Sequence, residues 1–315
     1  MSVGVFIDGA AGTTGLEIRE RLASRGDVDL LLLPEDRRRD AAARRAALND
    51  ADVVILCLPD DAAREAVALV DNPRTRIIDA SSAHRVADGW TYGFPELGFD
   101  VAGAMRVSNP GCYPTGFLAL LAPLVRAGLV PADWPLVVHG TSGYSGGGKA
   151  MIAEFRDGGA SAHRAYALGL RHKHVAEMTL RAGLAVAPIF LPSVANTYRG
   201  MILEVPLPWS RLRPDMPPSR IADALDAAFA DCPLVRVSHD EVGFVRIEDD
   251  AGTDRMTLHA FADPVEGQVR LVATLDNLGK GAAGAAVQNL NIMAGLDPMA
   301  GLACQARSAD PPPTL

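Results

Sequence analysis

A cysteine at a predicted turn is the residue of this chain best suited to chemistry. Cys112 lies in the segment SNPGCYPTG (108–116), whose Pro and Gly residues indicate a tight turn directly before the apolar stretch 117–125. A thiol at the start of a helix faces free backbone N–H groups and the positive end of the helix dipole, which lower its pKa. The segment therefore indicates covalent catalysis by a cysteine thiolate. The alternative is a small buried residue at a tight turn, because free cysteines are commonly buried.

Basic and titratable groups crowd the segment 171–177, just before an apolar helical stretch. His174 and Glu177 are three residues apart, so a helix would place them on one face, where the carboxylate can orient the imidazole. His174 is therefore the candidate acid/base group, with His172 in reserve, and Arg171 is a candidate anion contact. The alternative is a solvated helix start that Glu177 helps to cap.

A second group of polar side chains directly follows the predicted strand 76–80. Ser81 and Arg85 would emerge at the carboxyl end of a parallel sheet, where ligands bind in such folds. Arg85 is the first candidate for gripping a phosphate, because a planar guanidinium can bond two phosphate oxygens at once. A structural ion pair of Arg85 with Asp79 or Asp88 is the alternative.

The glycine-dense segment 139–149 follows the predicted strand 136–138 and ends at Lys149. We expect a loop there, and its Gly, Ser and Lys residues suit the close approach of an anion. The segment is predicted to be part of the substrate pocket or of a subunit contact. A flexible linker is the alternative.

A glycine-rich turn opens the chain, between a predicted strand and a predicted helix. Gly9, Gly12 and Gly15 recur every third residue, a shifted form of the dinucleotide-binding pattern, with Thr13 and Thr14 inside it. Glycines let the backbone approach a pyrophosphate, which then lies at the N-terminus of the following helix. Because the turn has the required strand-turn-helix context, the sequence predicts a dinucleotide site rather than a plain tight turn.

The second predicted strand is followed by both kinds of residue that distinguish the two nicotinamide cofactors. An acidic residue at this position binds the ribose hydroxyls of NAD, whereas arginine accommodates the extra phosphate of NADP. Glu35 and Asp36 precede Arg37 and Arg38 here. We favour NADP, with Arg37 and Arg38 as its contacts, although a charge run of this kind can also be a solvated surface.

The order of predicted elements indicates an α/β protein of two domains. Short apolar strands alternate with helices in the first part, which is typical of a Rossmann-like parallel sheet. Later strands are longer and alternate polar with apolar residues, which indicates an α+β domain with a mainly antiparallel sheet. We expect a dinucleotide-binding domain over 1–115, completed by a C-terminal helix within 282–315, and a catalytic and oligomerisation domain over 116–281.

Composition narrows the function classes further. The formal net charge is −8, which disfavours binding to nucleic acid or to an anionic membrane. The four cysteines show no CxxC pairing, so neither a metal site nor a disulfide framework is expected. The N-terminus lacks the basic and apolar segments of a signal peptide, and no apolar stretch is long enough for a membrane span. A cytoplasmic enzyme acting on a small metabolite is expected.

Together these motifs resemble the N-acetyl-gamma-glutamyl-phosphate reductase family, in its short-form group, which is related to the aspartate-semialdehyde dehydrogenases. The resemblance covers essentially the whole chain, and the cysteine segment is its most specific part. In the related dehydrogenases the nucleophile follows an Asn, whereas here Gly111 precedes Cys112. The family usually has Pro where this chain has Ala176, which alters the helix start more than the chemistry. The segments that carry the resemblance are 9–15, 79–85, 108–116, 139–149, 172–177 and 277–284.

The resemblance implies the NADPH-dependent reductive dephosphorylation of an acyl phosphate in arginine biosynthesis. Cys112 would form a thioester that accepts hydride, and His174 would act as the acid/base on the resulting intermediate. The resemblance also adds Asn277 and Gly279 as candidate cofactor contacts and Asn109 as a candidate substrate contact. A homodimer or homotetramer is expected, because relatives form such oligomers.

Two other functions are compatible with the same residues. An aspartate- or aminoadipate-type semialdehyde dehydrogenase would use the same thioester chemistry with a different pocket. A noncatalytic NADP-binding regulator would use Cys112 only as a redox-sensitive thiol. The separate acid/base and phosphate-binding candidates favour an enzyme.

Overall fold

Two compact units are present in the computed structural model, which describes residues 2–38, 40–158, 161–263 and 265–305. The first unit comprises the chain up to Gly111 together with Ala282–Leu302. The second comprises Cys112–Gly281 together with residues 303–305. The division thus lies directly before Cys112 rather than after residue 115, because the helix that begins at Cys112 packs inside the second unit. The residues that follow 305 in the expected C-terminal helix lie outside the described residues.

The first unit is built on a six-stranded sheet in which every neighbouring pair is parallel. The strand order is β2-β1-β3-β4-β6-β5. Its helices, other than the last, connect consecutive strands, as expected for a doubly wound fold. The strands are β1 (Val3–Asp8), β2 (Val28–Leu31), β3 (Val53–Leu56), β4 (Arg76–Asp79), β5 (Thr91–Tyr92) and β6 (Arg106–Ser108), and the helices are α1 (Thr13–Leu22), α2 (Ala41–Asp50), α3 (Asp60–Ala68) and α9 (Gly284–Met293).

Alternation along strand β1 explains why this sheet is covered on both faces. Val5 and Ile7 join one apolar cluster, which includes residues of α1 and α9. Phe6 points to the other face and joins a second cluster with residues of α2 and α3. A strand buried on both faces is almost wholly apolar, which is why the short runs in the sequence predicted parallel strands. The predicted Rossmann-like fold class is confirmed.

The second unit contains a seven-stranded mixed sheet with the order β11-β12-β13-β10-β7-β9-β8. Four of its six neighbouring pairs are antiparallel, as predicted for this part of the chain. The strands are β7 (Val137–Gly143), β8 (His163–Ala165), β9 (Ile189–Ala195), β10 (Met201–Leu207), β11 (Val235–Ser238), β12 (Met256–Asp263) and β13 (Gln268–Leu275), and the helices are α4 (Cys112–Arg126), α5 (Gly148–Arg156), α6 (His174–Ala182), α7 (Trp209–Leu212) and α8 (Ser219–Phe229).

Helix α4 is the central helix of the second unit. Every residue from Tyr113 to Leu124 is buried, so its apolar sequence has no exposed face. A helix that is apolar all round must lie inside a core. Cys112, at its first position, is thereby held at the end of a helix that is buried on all sides.

The loop predicted over 139–149 is wrong in its first half. Strand β7 continues to Gly143, a short 3-10 turn covers Tyr144–Gly147, and helix α5 follows. The reason is packing: a Cβ on Gly140 would lie 2.5 Å from a ring carbon of Tyr113. This glycine makes room for an aromatic ring within a strand, and flexibility is not its purpose.

Within the part of the chain that the structure describes, no helix is long and apolar enough to cross a membrane. The same residues contain no group of three or more His, Cys, Asp or Glu side chains that could hold a metal ion.

Candidate active site

The cysteine and both histidines singled out in the sequence belong to the second unit. Cys112 is the first residue of α4 and is partly exposed. The backbone of Gly281 lies against it, because a Cβ on that glycine would be 2.9 Å from the Cβ of Cys112. A side chain at residue 281 would clash with Cys112, so the glycine is what leaves space beside the cysteine. In the sequence, the glycine-rich segment 277–284 could have indicated a close approach of backbone at this point, but not that Cys112 is the neighbour.

The two histidines contact each other at the start of helix α6. The backbone N–H of His174 donates a hydrogen bond of 3.1 Å to Nδ1 of His172. Their ring centroids are 4.6 Å apart. His174 and Glu177 are both buried on the same face of α6, as their spacing predicted. A carboxylate one turn along that face can orient the imidazole of His174.

Tyr113 links the cysteine to the histidines. Its ring centroid lies 5.9 Å from that of His174 and 6.3 Å from that of His172. Burial raises the pKa of Tyr113 well above its usual value, and the neighbouring Tyr166 and Cys112 raise it further. Burial likewise raises the pKa of Tyr166 to about 12, with a contribution from Cys112. The sequence analysis did not identify Tyr166.

In the first unit, the glycine turn has the geometry expected of a phosphate loop. Gly9 has a φ of +90°, which favours glycine. The N–H of Gly12 donates to the carbonyl of Gly9 at 2.9 Å, and α1 begins at Thr13. Thr13, Thr14 and Gly15 form the first turn of α1, whose leading N–H groups have no partner within the helix. This arrangement suits a pyrophosphate at the helix start.

A cavity of about 300 Å³ opens beside this turn, between the ends of β1, β2 and β3. Three arginines line it, namely Arg19 of α1, Arg38 after β2 and Arg44 of α2. Of the two arginines predicted, Arg38 lines the cavity, whereas Arg37 lies exposed at the end of a short 3-10 turn. The pattern of the sequence did not identify Arg19 or Arg44.

Arg44 is held in place by a carboxylate at the end of β1. Its Nη2 and Nε donate to Oδ2 of Asp8 at 2.7 and 3.2 Å. Asp8 is 6% exposed, so water screens its attraction to Arg44 only weakly. The ion pair cancels a negative charge that would otherwise repel a phosphate at this cavity. Residues of this cavity therefore fit the adenosine half of a phosphorylated dinucleotide.

The segment after β4 is internally bonded. Asp79 is fully buried and accepts hydrogen bonds from the Ser81 hydroxyl at 2.7 Å and from Nδ1 of His84 at 2.6 Å. Arg85 donates to the carbonyls of Asn109 and Ala80 at 3.0 and 3.1 Å. The carboxylate of Asp79 is thus bonded to His84 and Ser81, and the bonds of Arg85 brace the backbone of this segment.

Asn109 is also engaged within the first unit. Its amide nitrogen donates to the carbonyl of Ala282, and its amide oxygen accepts from Asn289, both at 3.0 Å. These bonds fasten the end of β6 to the start of α9. The two remaining basic candidates, Lys149 near the start of α5 and Arg171 before α6, differ from Arg85 in being exposed to solvent.

The two C-terminal candidates for cofactor binding, Asn277 and Gly279, lie in the second unit and are bonded inside it. The Asn277 amide accepts from the N–H of Gly200 at 3.0 Å and donates to the Ser145 hydroxyl at 2.9 Å. The N–H of Gly279 donates to the carboxylate of Asp276 at 3.1 Å. Both residues therefore shape the turn that brings Gly281 against Cys112.

Comparisons with known proteins define the class of this fold and site. Residues 4–103 match the family described as "Semialdehyde dehydrogenase, NAD binding domain", and residues 112–277 match "Semialdehyde dehydrogenase, dimerisation domain". Solved structures of similar fold include aspartate semialdehyde dehydrogenase II from Vibrio cholerae, with a TM-score of 0.72 and 16% identity over 94% of this chain and 99% of that one. Another is aspartate semialdehyde dehydrogenase from Francisella tularensis, with a TM-score of 0.70 and 14% identity over 93% and 100%.

Curated relatives narrow the class to one family. N-acetyl-gamma-glutamyl-phosphate reductase 2 of Pseudomonas putida is 48% identical over 302 residues, which cover 92% of this chain and 96% of that protein. N-acetyl-gamma-glutamyl-phosphate reductase of Sinorhizobium fredii is 49% identical over 92% of this chain and 98% of its own length. The chain belongs to the N-acetyl-gamma-glutamyl-phosphate reductase family. The predicted oxidoreductase class and dinucleotide cofactor are thereby confirmed.

Proposed function

We propose that this chain reduces N-acetyl-gamma-glutamyl phosphate with NADPH to N-acetylglutamate semialdehyde and phosphate, a step of arginine biosynthesis. The observation that carries the proposal is the packing of Tyr113, which directly follows Cys112 in α4, against the rings of His172 and His174. This packing supports pairing the nucleophile candidate with the acid/base candidates, in a chain whose relatives bear the name of this enzyme.

Cys112 supplies the nucleophile. Its thiolate attacks the acyl carbon, a C–S bond forms, and the C–O bond to phosphate breaks, which leaves a thioester and inorganic phosphate. The leading N–H groups of α4 stabilise the thiolate and the oxyanion of the addition step. NADPH, when bound, supplies the hydride that reduces the thioester carbon.

His174 handles the proton in the second half of the reaction. It protonates the oxygen of the thiohemiacetal as negative charge develops there, and takes the proton back as the C–S bond breaks and the aldehyde leaves. Glu177, buried on the same helix face, supports the charged imidazole. His172 lies next to it and is the second candidate for this role.

The cofactor is NADP, held by the glycine turn and the arginines beside it. Gly9, Gly12, Thr13, Thr14 and Gly15 receive the pyrophosphate at the start of α1. Arg38 and Arg44 line the neighbouring cavity and provide positive charge for the adenosine 2′-phosphate, together with Arg37, which precedes Arg38 in the chain. Asn277 and Gly279 have no part in this proposal, because their polar groups are bonded within the second unit.

Basic side chains must also hold the anionic substrate in a protein of net charge −8. Lys149 and Arg171 are exposed and therefore the stronger candidates for its phosphate and carboxylate. Arg85 is the weaker candidate, because it already donates to two backbone carbonyls. Ser81 and Asn109 shape the segments around Arg85 through their own bonds.

A homodimer or homotetramer is proposed, with one face of the second sheet as the contact between copies. Three adjoining clefts of about 560, 490 and 350 Å³ lie along this face, and Phe261 lines each of them. Phe244 is 73% exposed beside them. Exposed aromatic groups of this kind mark a surface that another protein covers. We place the enzyme in the cytoplasm, with no nucleic acid or membrane as partner.

The assay follows the reverse reaction, in which NADP is reduced in the presence of phosphate and an aldehyde. N-acetylglutamate semialdehyde should be oxidised with a kcat/KM at least about 100-fold above that of aspartate semialdehyde or aminoadipate semialdehyde. The variant Cys112→Ser should lose about 1000-fold or more in kcat, whereas the control Cys232→Ser should keep its activity. A clear preference for aspartate semialdehyde would refute the substrate assignment.

The second candidate is an aspartate- or aminoadipate-type semialdehyde dehydrogenase, favoured by the similarity of fold to solved enzymes of that class. The same assay separates the two. A protein that binds NADP but oxidises none of the three aldehydes would instead support a noncatalytic regulator.

A further inference from the structure

We infer that Tyr113 is a positioning residue, whose ring fixes the orientation of the imidazoles of His172 and His174 for the reaction at Cys112. The inference rests on the proposed function for the roles of Cys112 and His174. Tyr113 follows the nucleophile directly in helix α4, so its backbone is fixed with that of Cys112. Its side chain is the aromatic group shared by both histidines.

The ring contacts both imidazoles with their faces inclined to it. The planes of Tyr113 and His174 are tilted by 55°, and those of Tyr113 and His172 by 79°. Inclined rings at centroid separations near 6 Å make favourable edge contacts. His172 also contacts the rings of Tyr166 and Phe190, at centroid distances of 5.8 and 5.2 Å. The contact with Tyr113 adds to these and limits the rotamers that both imidazoles can adopt.

The Tyr113 side chain is itself held by hydrogen bonds of its hydroxyl and by packing of its ring. Its hydroxyl donates to the carbonyl of Ser193 at 2.9 Å and accepts from the Tyr166 hydroxyl at 3.3 Å. The ring of Phe190 packs edge-on with a centroid distance of 5.0 Å. The absence of a side chain at Gly140 provides the space that the ring fills. A ring that is held in this way limits the orientations that the two imidazoles packed against it can adopt.

The Tyr113 hydroxyl is engaged in anchoring the ring. Burial raises the pKa of this hydroxyl well above its usual value. The hydroxyl already donates to the carbonyl of Ser193. The function left to the side chain is to hold its neighbours.

Two substitutions separate the ring from its hydroxyl. Tyr113→Phe keeps the ring contacts with both imidazoles but loses the two hydroxyl bonds that anchor the ring, so kcat should fall by about 3- to 10-fold. Tyr113→Leu removes the contact with both imidazoles and should lower kcat by about 30-fold or more, with KM within about 3-fold. The control Phe229→Leu removes a buried ring from α8 of the same unit and should destabilise the fold without changing kcat.

A second variant tests the same contact while keeping the tyrosine, in case Tyr113→Leu does not fold. Gly140→Ala would place a Cβ against the Tyr113 ring and displace it. We expect a smaller loss of kcat in the same direction, again with little change in KM.

The reactivity of the thiol provides a readout that needs no substrate. The rate of alkylation of Cys112 by iodoacetamide is measured against pH, by mass analysis of its peptide. An imidazolium near the thiol stabilises the thiolate, so the midpoint should rise by about one pH unit in Tyr113→Leu. It should rise by less in Gly140→Ala and in Tyr113→Phe, and stay unchanged in Phe229→Leu. Burial raises the pKa of Cys57 to about 12, so this thiol does not compete.

The outcomes distinguish the inference from the proposed function. An unchanged midpoint in Tyr113→Leu, with kcat reduced no more than in Phe229→Leu, would overturn the positioning role. If the wild type oxidises no aldehyde but the midpoint still shifts as expected, the proposed function fails and the positioning of the histidines stands.

Discussion

At the scale of single residues, the cofactor cavity depends on side chains that come from three different elements. Arg19 lies on α1, Arg38 follows β2 and Arg44 lies on α2, yet all three line one cavity. Asp8 holds Arg44 through Nε and Nη2, which leaves the third nitrogen of the guanidinium for a ligand. Charge-assisted bonds from arginine to phosphate are among the stronger hydrogen bonds of proteins.

The variant Arg44→Met should therefore lose preference for NADP. We expect its KM for NADPH to rise by about 10- to 100-fold, and its KM for NADH to change by less than about 3-fold. The matched control is Arg45→Met, whose arginine pairs with Asp71 on the surface. Equal losses with NADPH and NADH would contradict the assignment, because the 2′-phosphate distinguishes the two.

The two histidines give the second prediction at this scale, measured as the pH dependence of kcat/KM. His174→Asn should lose the limb of the profile that reports the acid/base group, together with about 100-fold or more of the rate. His172→Asn should keep that limb, since its role is to accept the N–H of His174. The reverse result would make His172 the proton carrier.

At the scale of elements, the turn after β13 decides what lies against the nucleophile. Asp276 is fully buried and accepts hydrogen bonds from the N–H groups of Leu278 and Gly279 at 2.7 and 3.1 Å. It also pairs with Arg199 at 3.1 Å. These bonds set the course of the turn and so bring Gly281 to Cys112.

Loss of the charge at residue 276 should destabilise this turn. For Asp276→Asn we expect the free energy of unfolding in urea to fall by about 2–4 kcal/mol, because Arg199 loses its partner. The control is Asp249→Asn, which breaks an exposed pair with Arg246 and should cost less than about 1 kcal/mol. If the two substitutions lowered the free energy of unfolding by similar amounts, burial of the Asp276–Arg199 pair would not contribute to stability.

At the scale of the whole molecule, the second sheet leaves one face lined by clefts and by exposed apolar groups. Glu204 and Arg270 form an ion pair there, with Nε and Oε1 2.8 Å apart, between two of the clefts. The match to a dimerisation domain covers this sheet. A second copy of the chain is therefore the expected occupant.

A charge placed on this face should prevent association. Phe244→Asp changes a side chain that is 73% exposed, so the fold of the single chain should be little affected. We expect sedimentation to show a smaller species than the wild type at the same concentration. Met216→Asp, at an exposed apolar residue that lines none of these clefts, should sediment like the wild type. An unchanged mass for Phe244→Asp would place the contact elsewhere.

Local pattern was sufficient for much of the fold. The strand-turn-helix at Gly9 and the apolar runs of the first unit predicted a parallel sheet because buried parallel strands are apolar on both faces. The segment 139–149 was misjudged because glycine has two uses, flexibility and close packing. Which of them applies at Gly140 depends on Tyr113, and no local pattern records that neighbour.

The sequence by itself determined the fold class, the position of a cysteine at the start of a buried helix, and the spacing of His174 and Glu177 on one helix face. Each of these follows from neighbours along the chain, through the periods of helix and strand. The tertiary structure alone decided that Arg19 and Arg44 share a cavity with Arg38, and that the ring of Tyr113 packs against both histidines. Such contacts join residues far apart in sequence, and only packing of the whole unit brings them together.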